Sequence, residues 1–166
     1  DCGIETGVNL TTESTRSRWD GIEPPTGGPL DHVSWLRDRF GGADTVGAVA
    51  RQGDRLACGT STGGRWLALA GRVGDVPQIG AGFYASPAAA ASATGAGEDI
   101  ARVTLTRRTV RHVERGLSAE EAARTAIDEF GELTDGSAGV IVIDSGGRVG
   151  QAFNSEAMQT ATAREN

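Results

Sequence analysis

Three small glycine- and threonine-bearing clusters hold the residues of this sequence best placed to do chemistry. They are Asp44-Thr45-Val46-Gly47, Thr60-Ser61-Thr62-Gly63-Gly64 and Thr94-Gly95-Ala96-Gly97-Glu98. Between the second and third lies Gly71-Arg72-Val73-Gly74-Asp75, with a cation and an anion three residues apart. A threonine hydroxyl is a weak nucleophile at neutral pH and needs a base. Side-chain bases are scarce: His32 and His112 are the two histidines, and all 16 Lys+Arg residues are arginine. An α-amino group, with a pKa of about 8, suits general-base work. A threonine freed at its own N-terminus would carry nucleophile and base together, which here requires a cut between Asp44 and Thr45. Backbone N–H groups over Thr94 to Gly97, where a helix is expected to open, suit a developing oxyanion. An Arg/Asp pair complements the carboxylate and the ammonium of a free amino acid.

Each cluster also has a plainer explanation. Threonine is favoured in strands, so Thr45, Thr60 and Thr62 fit ordinary strand positions. Thr94 fits a helix cap, and Arg72 with Asp75 fits a surface ion pair contributing less than about 1 kcal/mol. Other chemistries fare worse. No Gly-Lys-Ser/Thr follows any glycine cluster, which excludes a Walker-type phosphate loop. Two distant histidines and no C-x-x-C spacing for Cys2 and Cys58 argue against a zinc site, and so few histidines weaken a Ser-His-Asp triad. A net charge of −6 argues against nucleic acid or an anionic membrane as partner. No apolar run approaches the roughly 20 residues of a membrane span. Two free thiols suit a cytoplasmic protein.

The elements that must position these residues can be read along the 166-residue chain. Residues 1–44 are rich in Gly, Pro, Ser, Thr and charge and read as a linker, with one short helix expected at Asp31 to Phe40 around Val33, Trp35 and Leu36. At Thr45 the character changes: 45–52 and 55–62 read as two strands joined by a Gly53-Asp54 turn. Two further strands are expected at 77–86 and 87–94, around Ser86-Pro87. From Glu98 to about Arg115 a helix is expected, with Ile100, Val103, Leu105, Val110 and Val113 as its apolar stripe. Ser118-Ala119-Glu120-Glu121 fits a capping box opening a second helix that runs to about Phe130. The segment from Ala138 onward reads as a hairpin turning at Ser145-Gly146-Gly147. Strands, two helices, then strands predict an α+β domain with helices on one face of an antiparallel sheet.

The run DTVGAVA…TSTGG…GRVGD…GAGFYAS…SATGAGEDIAR, from Asp44 to Arg102, resembles the plant-type L-asparaginase/isoaspartyl peptidase family of N-terminal-nucleophile hydrolases. The likeness continues more loosely through AGVIVIDSGGRVGQAFNSEAM. The resemblance implies an αββα sandwich, activation by autoproteolysis between Asp44 and Thr45, and hydrolysis of L-asparagine or β-aspartyl peptides through a β-aspartyl ester on Thr45. It implies Thr62 as the residue that hydrogen-bonds and tunes Thr45, and Arg72 and Asp75 as the clamp on the α-carboxylate and α-ammonium. Thr94 and Gly95 correspond to the oxyanion hole, and Gly97 to the pocket lining. No cofactor is implied, although many members hold a structural sodium or potassium ion in a loop of the N-terminal half.

Family precursors are about twice as long. Residues 1–44 are therefore expected to be the tail of an α part and 45–166 the β part. The remaining N-terminal α part is the expected partner, in an (αβ)2 dimer of heterodimers. The stretch between TSTGG and GRVGD departs from the family, reading RWLALA without the lysine and proline often found there. Glycosylasparaginases usually show TSTNG, and threonine aspartases GRVGQ; Asp75 instead points to a substrate with a free α-amino group. Two alternatives stay open: a glycosylasparaginase-like hydrolase, and an uncleaved, non-catalytic relative that binds amino acids.

Overall fold

The computed structural model describes residues 45–65, 68 and 71–164, together with 13, 16, 17, 20, 22, 23, 26 and 27. The chain divides into two compact units, Asp1–Arg39 and Phe40–Asn166. Asp44, Cys2, His32 and the helix expected at 31–40 lie outside the described residues.

The hairpin forms with the bounds read from sequence. Strands β1 (Thr45–Gln52) and β2 (Arg55–Thr62) pair antiparallel from Thr45↔Thr62 to Gln52↔Arg55. Gly53 has φ +61°, a left-handed conformation that glycine adopts at little steric cost. Alternation gives the hairpin two faces: Thr45, Gly47, Val49, Leu56, Cys58, Thr60 and Thr62 are half-buried, while their neighbours are exposed.

A second antiparallel sheet follows, in the order β3-β4-β5-β6: β3 (Phe83–Ala85), β4 (Ala89–Gly95), β5 (Ala138–Asp144) and β6 (Val149–Phe153). Strand β4 is buried from Ala89 to Ala93 because both its faces are covered. Ala89, Ala91 and Ala93, with Ala138, Val140 and Val142 across the ladder, join the core built with the helices. Ser92 faces the hairpin instead, its Oγ 2.7 Å from Thr60 Oγ1, which also donates to Gly82 O at 3.0 Å. The hairpin, the four-stranded sheet and the helices thus stack in that order, and the domain belongs to the α+β class.

The helices packed on this sheet are α1 (Gly97–Val103), α2 (Leu105–Glu114) and α3 (Ala119–Leu133). The capping box forms as expected: Ser118 Oγ accepts from Glu121 N–H, and the Glu121 carboxylate accepts from Ser118 N–H at 3.0 Å. The helix runs to Leu133, one turn past the expected end, with Phe130 fully buried beneath it. The single helix expected over 98–115 is corrected to two. Val103 and Leu105 are both buried, yet on one helix they would point about 200° apart. The chain resolves this by breaking at Thr104, whose φ of +52° is left-handed.

The strand expected at 77–86 is also corrected: only 83–85 is strand, and the rest is turn. Gly80 takes φ +91° there. Gln78 N–H and Gly82 N–H both donate to Asp75 O, at 2.9 and 3.1 Å. The two corrections are linked. The break at Thr104 leaves the first N–H groups of α2 without helical partners. Thr106 N–H and Arg107 N–H donate instead to Ala81 O and Gly80 O, at 3.3 and 2.9 Å. The start of α2 therefore fixes the turn that holds Asp75.

Strand β6 and the start of α3 approach so closely that a methyl at Gly150 would run into the main chain of Ala119. Gly150→Ala should cost roughly 1–3 kcal/mol of stability. Urea unfolding midpoints compared at unchanged slope will check this.

Candidate active site

The sheet register brings the two hydroxyls expected to act together side by side. Thr45 and Thr62 are paired at the open end of the hairpin, with Thr45 Oγ1 3.3 Å from Thr62 Oγ1. The Thr62 hydroxyl also accepts from Gly64 N–H at 3.1 Å, so the TSTGG loop folds back onto its own threonine. Both point inward because positions 45, 47, 60 and 62 share the face turned to the second sheet. Gly47 sets the approach, since a Cβ there would overlap the Ser92 side chain.

Thr94 lies on the facing sheet, and its side chain shares with Thr45, Ser92 and Gly139 the groove between the layers. It is paired with Gly139 in β5. Thr94 and Gly95 are the last residues of β4 and do not open a helix, and the expectation of Thr94 as a cap is corrected: the N-cap is Ala96, with no side-chain cap. Gly95 has φ +133°, and a Cβ on it would collide with Ser137 O and Ala138. Ala96 N–H is already engaged by Ser137 O at 2.8 Å, so it is not a donor for a ligand.

Arg72 and Asp75, expected to hold a carboxylate and an ammonium, form a compact cluster. The Arg72 guanidinium lies against two glycines: a Cβ on Gly74 would sit 2.7 Å from its Nη1, and one on Gly97 2.9 Å from its Nη2. The same Gly97 Cβ would sit 2.7 Å from Asp75 Oδ1. Arg72, Asp75 and Gly97 are thus brought together, as the sequence led us to expect. Asp75 is 6% exposed, and its Oδ2 has no hydrogen-bond partner among the described residues. A buried carboxylate oxygen left unpaired is costly, and a cationic ligand group would satisfy it.

Glu98 was missed in sequence, where it reads only as an acidic residue in a first helical turn. It accepts from Arg72 Nε at 2.8 Å and pairs with Arg65 at 3.5 Å. With Nε engaged by Glu98, Nη1 and Nη2 are the Arg72 donors that could meet a carboxylate with two parallel hydrogen bonds. The signal available in sequence was a carboxylate directly after the last glycine of TGAGE.

The two carboxyls respond in opposite directions. Burial pushes the Asp75 carboxyl up, against the pull of backbone hydrogen bonds and Arg72. Burial also acts upward on Glu98, but the hydrogen bond from Arg72, a backbone hydrogen bond and the charges of Arg72 and Arg65 outweigh it and hold the pKa down. Protonated Asp75 therefore stabilises the fold below the pKa of the unfolded chain, and this is lost as pH rises through the raised folded value. Ionised Glu98 stabilises above its unfolded pKa, and this is lost as pH falls through the lowered folded value.

Among the described residues no group of three or more His, Cys, Asp and Glu could hold a metal ion. Cys58 carries a free, half-buried thiol, and His112 faces Glu129 at 3.2 Å, on the helix side of the sheet. Among the described residues no helix is long and apolar enough to cross a membrane.

The described residues thus hold a hydroxyl pair, Thr45 and Thr62, facing the second sheet, and a separate cluster of a buried acid, Asp75, with the Arg72 guanidinium. Comparison with known proteins supplies the family: the model described as Asparaginase matches residues 8–166, and the chain belongs to that family. Isoaspartyl peptidase/L-asparaginase of Danio rerio is 39% identical over 159 residues, covering 95% of this chain and 49% of that protein. Plant-type L-asparaginase of Pyrococcus abyssi is 39% identical over 165 residues, covering 93% and 53%. A probable isoaspartyl peptidase/L-asparaginase of Arabidopsis thaliana is 42% identical over 125 residues, covering 74% and 38%. The chain spans about half the length of the curated relatives it matches.

Gly97→Ala tests the packing of the cluster directly. Its methyl should displace Arg72 and Asp75 and cost roughly 2 kcal/mol of stability, a fall in melting temperature of about 4–8 °C. Thermal unfolding of the variant beside wild type checks this.

Proposed function

We propose that this chain is the nucleophile-bearing part of an L-asparaginase/isoaspartyl peptidase, activated by cleavage between Asp44 and Thr45. The observation that carries this reading is the Thr45–Thr62 hydroxyl contact at the first residue of a strand, across a groove from Thr94. In activation, Thr45 Oγ adds to the Asp44 carbonyl carbon and the amide C–N bond breaks. The nitrogen takes up the hydroxyl proton, which frees the α-amino group of Thr45 and leaves Asp44 as an ester on Oγ. Water then hydrolyses that ester, releasing the Asp44 carboxyl and restoring the Thr45 hydroxyl. In turnover, that amino group takes the hydroxyl proton as Oγ attacks the side-chain carbonyl of the substrate. The Thr94 hydroxyl and Gly95 N–H steady the oxyanion. The amino group returns the proton to the leaving ammonia or amino acid, and water resolves the β-aspartyl ester. Thr62 tunes Thr45, while Arg72 holds the α-carboxylate and Asp75 the α-ammonium.

The same reading assigns the exposed face of the hairpin. Val46 is 70% exposed, and Ala48, Ala50 and Ala57 point the same way. An apolar sheet face of this kind needs a cover. We assign that cover to an N-terminal α part equivalent to the half of the relatives that this chain does not span, completing the αββα sandwich and the (αβ)2 assembly.

Two outcomes test this in the complete protein. Wild-type protein should resolve into two bands on a denaturing gel and release ammonia from L-asparagine, whereas Thr45→Ala should do neither. A persistent single band with amino-acid binding intact would instead mark a non-catalytic relative. The pH dependence follows from Asp75: KM should rise as pH falls through its raised pKa, at a higher pH than a free carboxyl titrates. Asp75→Asn should bind substrate weakly and lose that dependence, read from initial rates across pH.

A further inference from the structure

The segment between TSTGG and GRVGD carries a single charged residue, Arg65. It follows directly on the loop that folds back onto Thr62, and its side chain is largely buried, at 13% exposure. We infer that Arg65 is a positioning residue for ligand binding: through Glu98 it fixes the orientation of the Arg72 guanidinium. The inference rests on the assignment of Arg72 to the α-carboxylate of the ligand.

The geometry is a carboxylate bracketed by two arginines. Arg72 Nε donates to one Glu98 oxygen at 2.8 Å, and Arg65 Nη1 lies 3.5 Å from the other. The first is a short charged hydrogen bond; the second is a longer ion pair. Occupied on both oxygens, the carboxylate is restrained from rotating, so the direction in which it holds Arg72 Nε is fixed. Gly74 packs against Nη1 and Gly97 against Nη2, so the guanidinium is held from these directions as well. With Nε taken by Glu98, Nη1 and Nη2 are the donors left for a ligand carboxylate, met without a further loss of side-chain freedom.

The polar contacts support the same division of labour. Glu98 engages both arginines, Arg72 through Nε, while Asp75, packed beside Arg72, keeps an unpaired Oδ2 for an ammonium. Arg65 also joins the loop of the nucleophile pair to the clamp. Thr62 and Arg72 are thereby referenced to one carboxylate on α1.

The test uses the complete protein and reads both KM for L-asparagine and the dissociation constant of L-aspartate, a probe independent of hydrolysis. Arg65→Ala should raise both roughly threefold to tenfold. Self-cleavage should proceed as in wild type, and kcat should stay within about twofold, because the reactive pair keeps its own contacts. Arg65→Lys should recover most of the loss. In a Glu98→Gln background Arg65→Ala should add little, since its effect runs through that carboxylate. Unchanged KM and L-aspartate binding in Arg65→Ala would overturn the inference, as would losses additive with Glu98→Gln. If wild type binds L-aspartate but is inert on asparagine and on β-Asp-Leu, the functional reading falls, and the binding arm still decides the role of Arg65.

Discussion

The contact on which the site depends is the close approach of β1 to β4, set where Gly47 lies over Ser92. Strand β4 reads AAASATG and carries nothing larger than threonine. Its small side chains let a hairpin settle on one face while helices fill the other. Packed layers tolerate little change in spacing, because a single added methylene must displace its neighbours. The height of Thr45 above Thr94 is therefore set mainly by backbone and small side chains, two residues away from the hydroxyl itself. The Thr60–Ser92 hydroxyl contact fixes the same spacing from the other strand of the hairpin.

A second dependence runs from helix to turn to acid. The left-handed Thr104 frees the opening N–H groups of α2, those groups hold the 77–82 turn, and the turn holds Asp75 by its carbonyl. The buried carboxyl can then stand unpaired at Oδ2 without the loop collapsing to satisfy it. Polar atoms left unsatisfied in this way persist only where the surroundings over-determine the backbone.

Local patterns were legible in the sequence, and relations between elements much less so. The β1–β2 hairpin could be bounded to the residue, because alternation and a two-residue Gly53-Asp54 turn leave one register. The capping box at Ser118 was equally local. The break at Thr104 was not, since it follows from which of Val103 and Leu105 must be buried, and only the packed sheet decides that. The turn over 77–82 hid behind alternating small and apolar residues that also fit a strand. At the site, Thr45, Thr62, Arg72, Asp75, Thr94, Gly95 and Gly97 were named from the motifs and the family resemblance they carry; the structure pairs Thr45 with Thr62 and packs Arg72 and Asp75 against Gly97. Glu98 escaped because its partners, Arg65 and Arg72, lie 33 and 26 positions away.

The pairing of Thr45 with Thr62 at the very start of the ladder has a consequence for how a chain end behaves. Ends normally fray, and a reactive group on a fraying end spends most of its time out of reach of its target. Here eight cross-strand pairs run from Thr45 inward, so the order of that residue comes from its partner strand. A terminus created there would inherit the order of a strand: an end group delivered already aimed, its freedom removed when the domain folded and not when a ligand arrives.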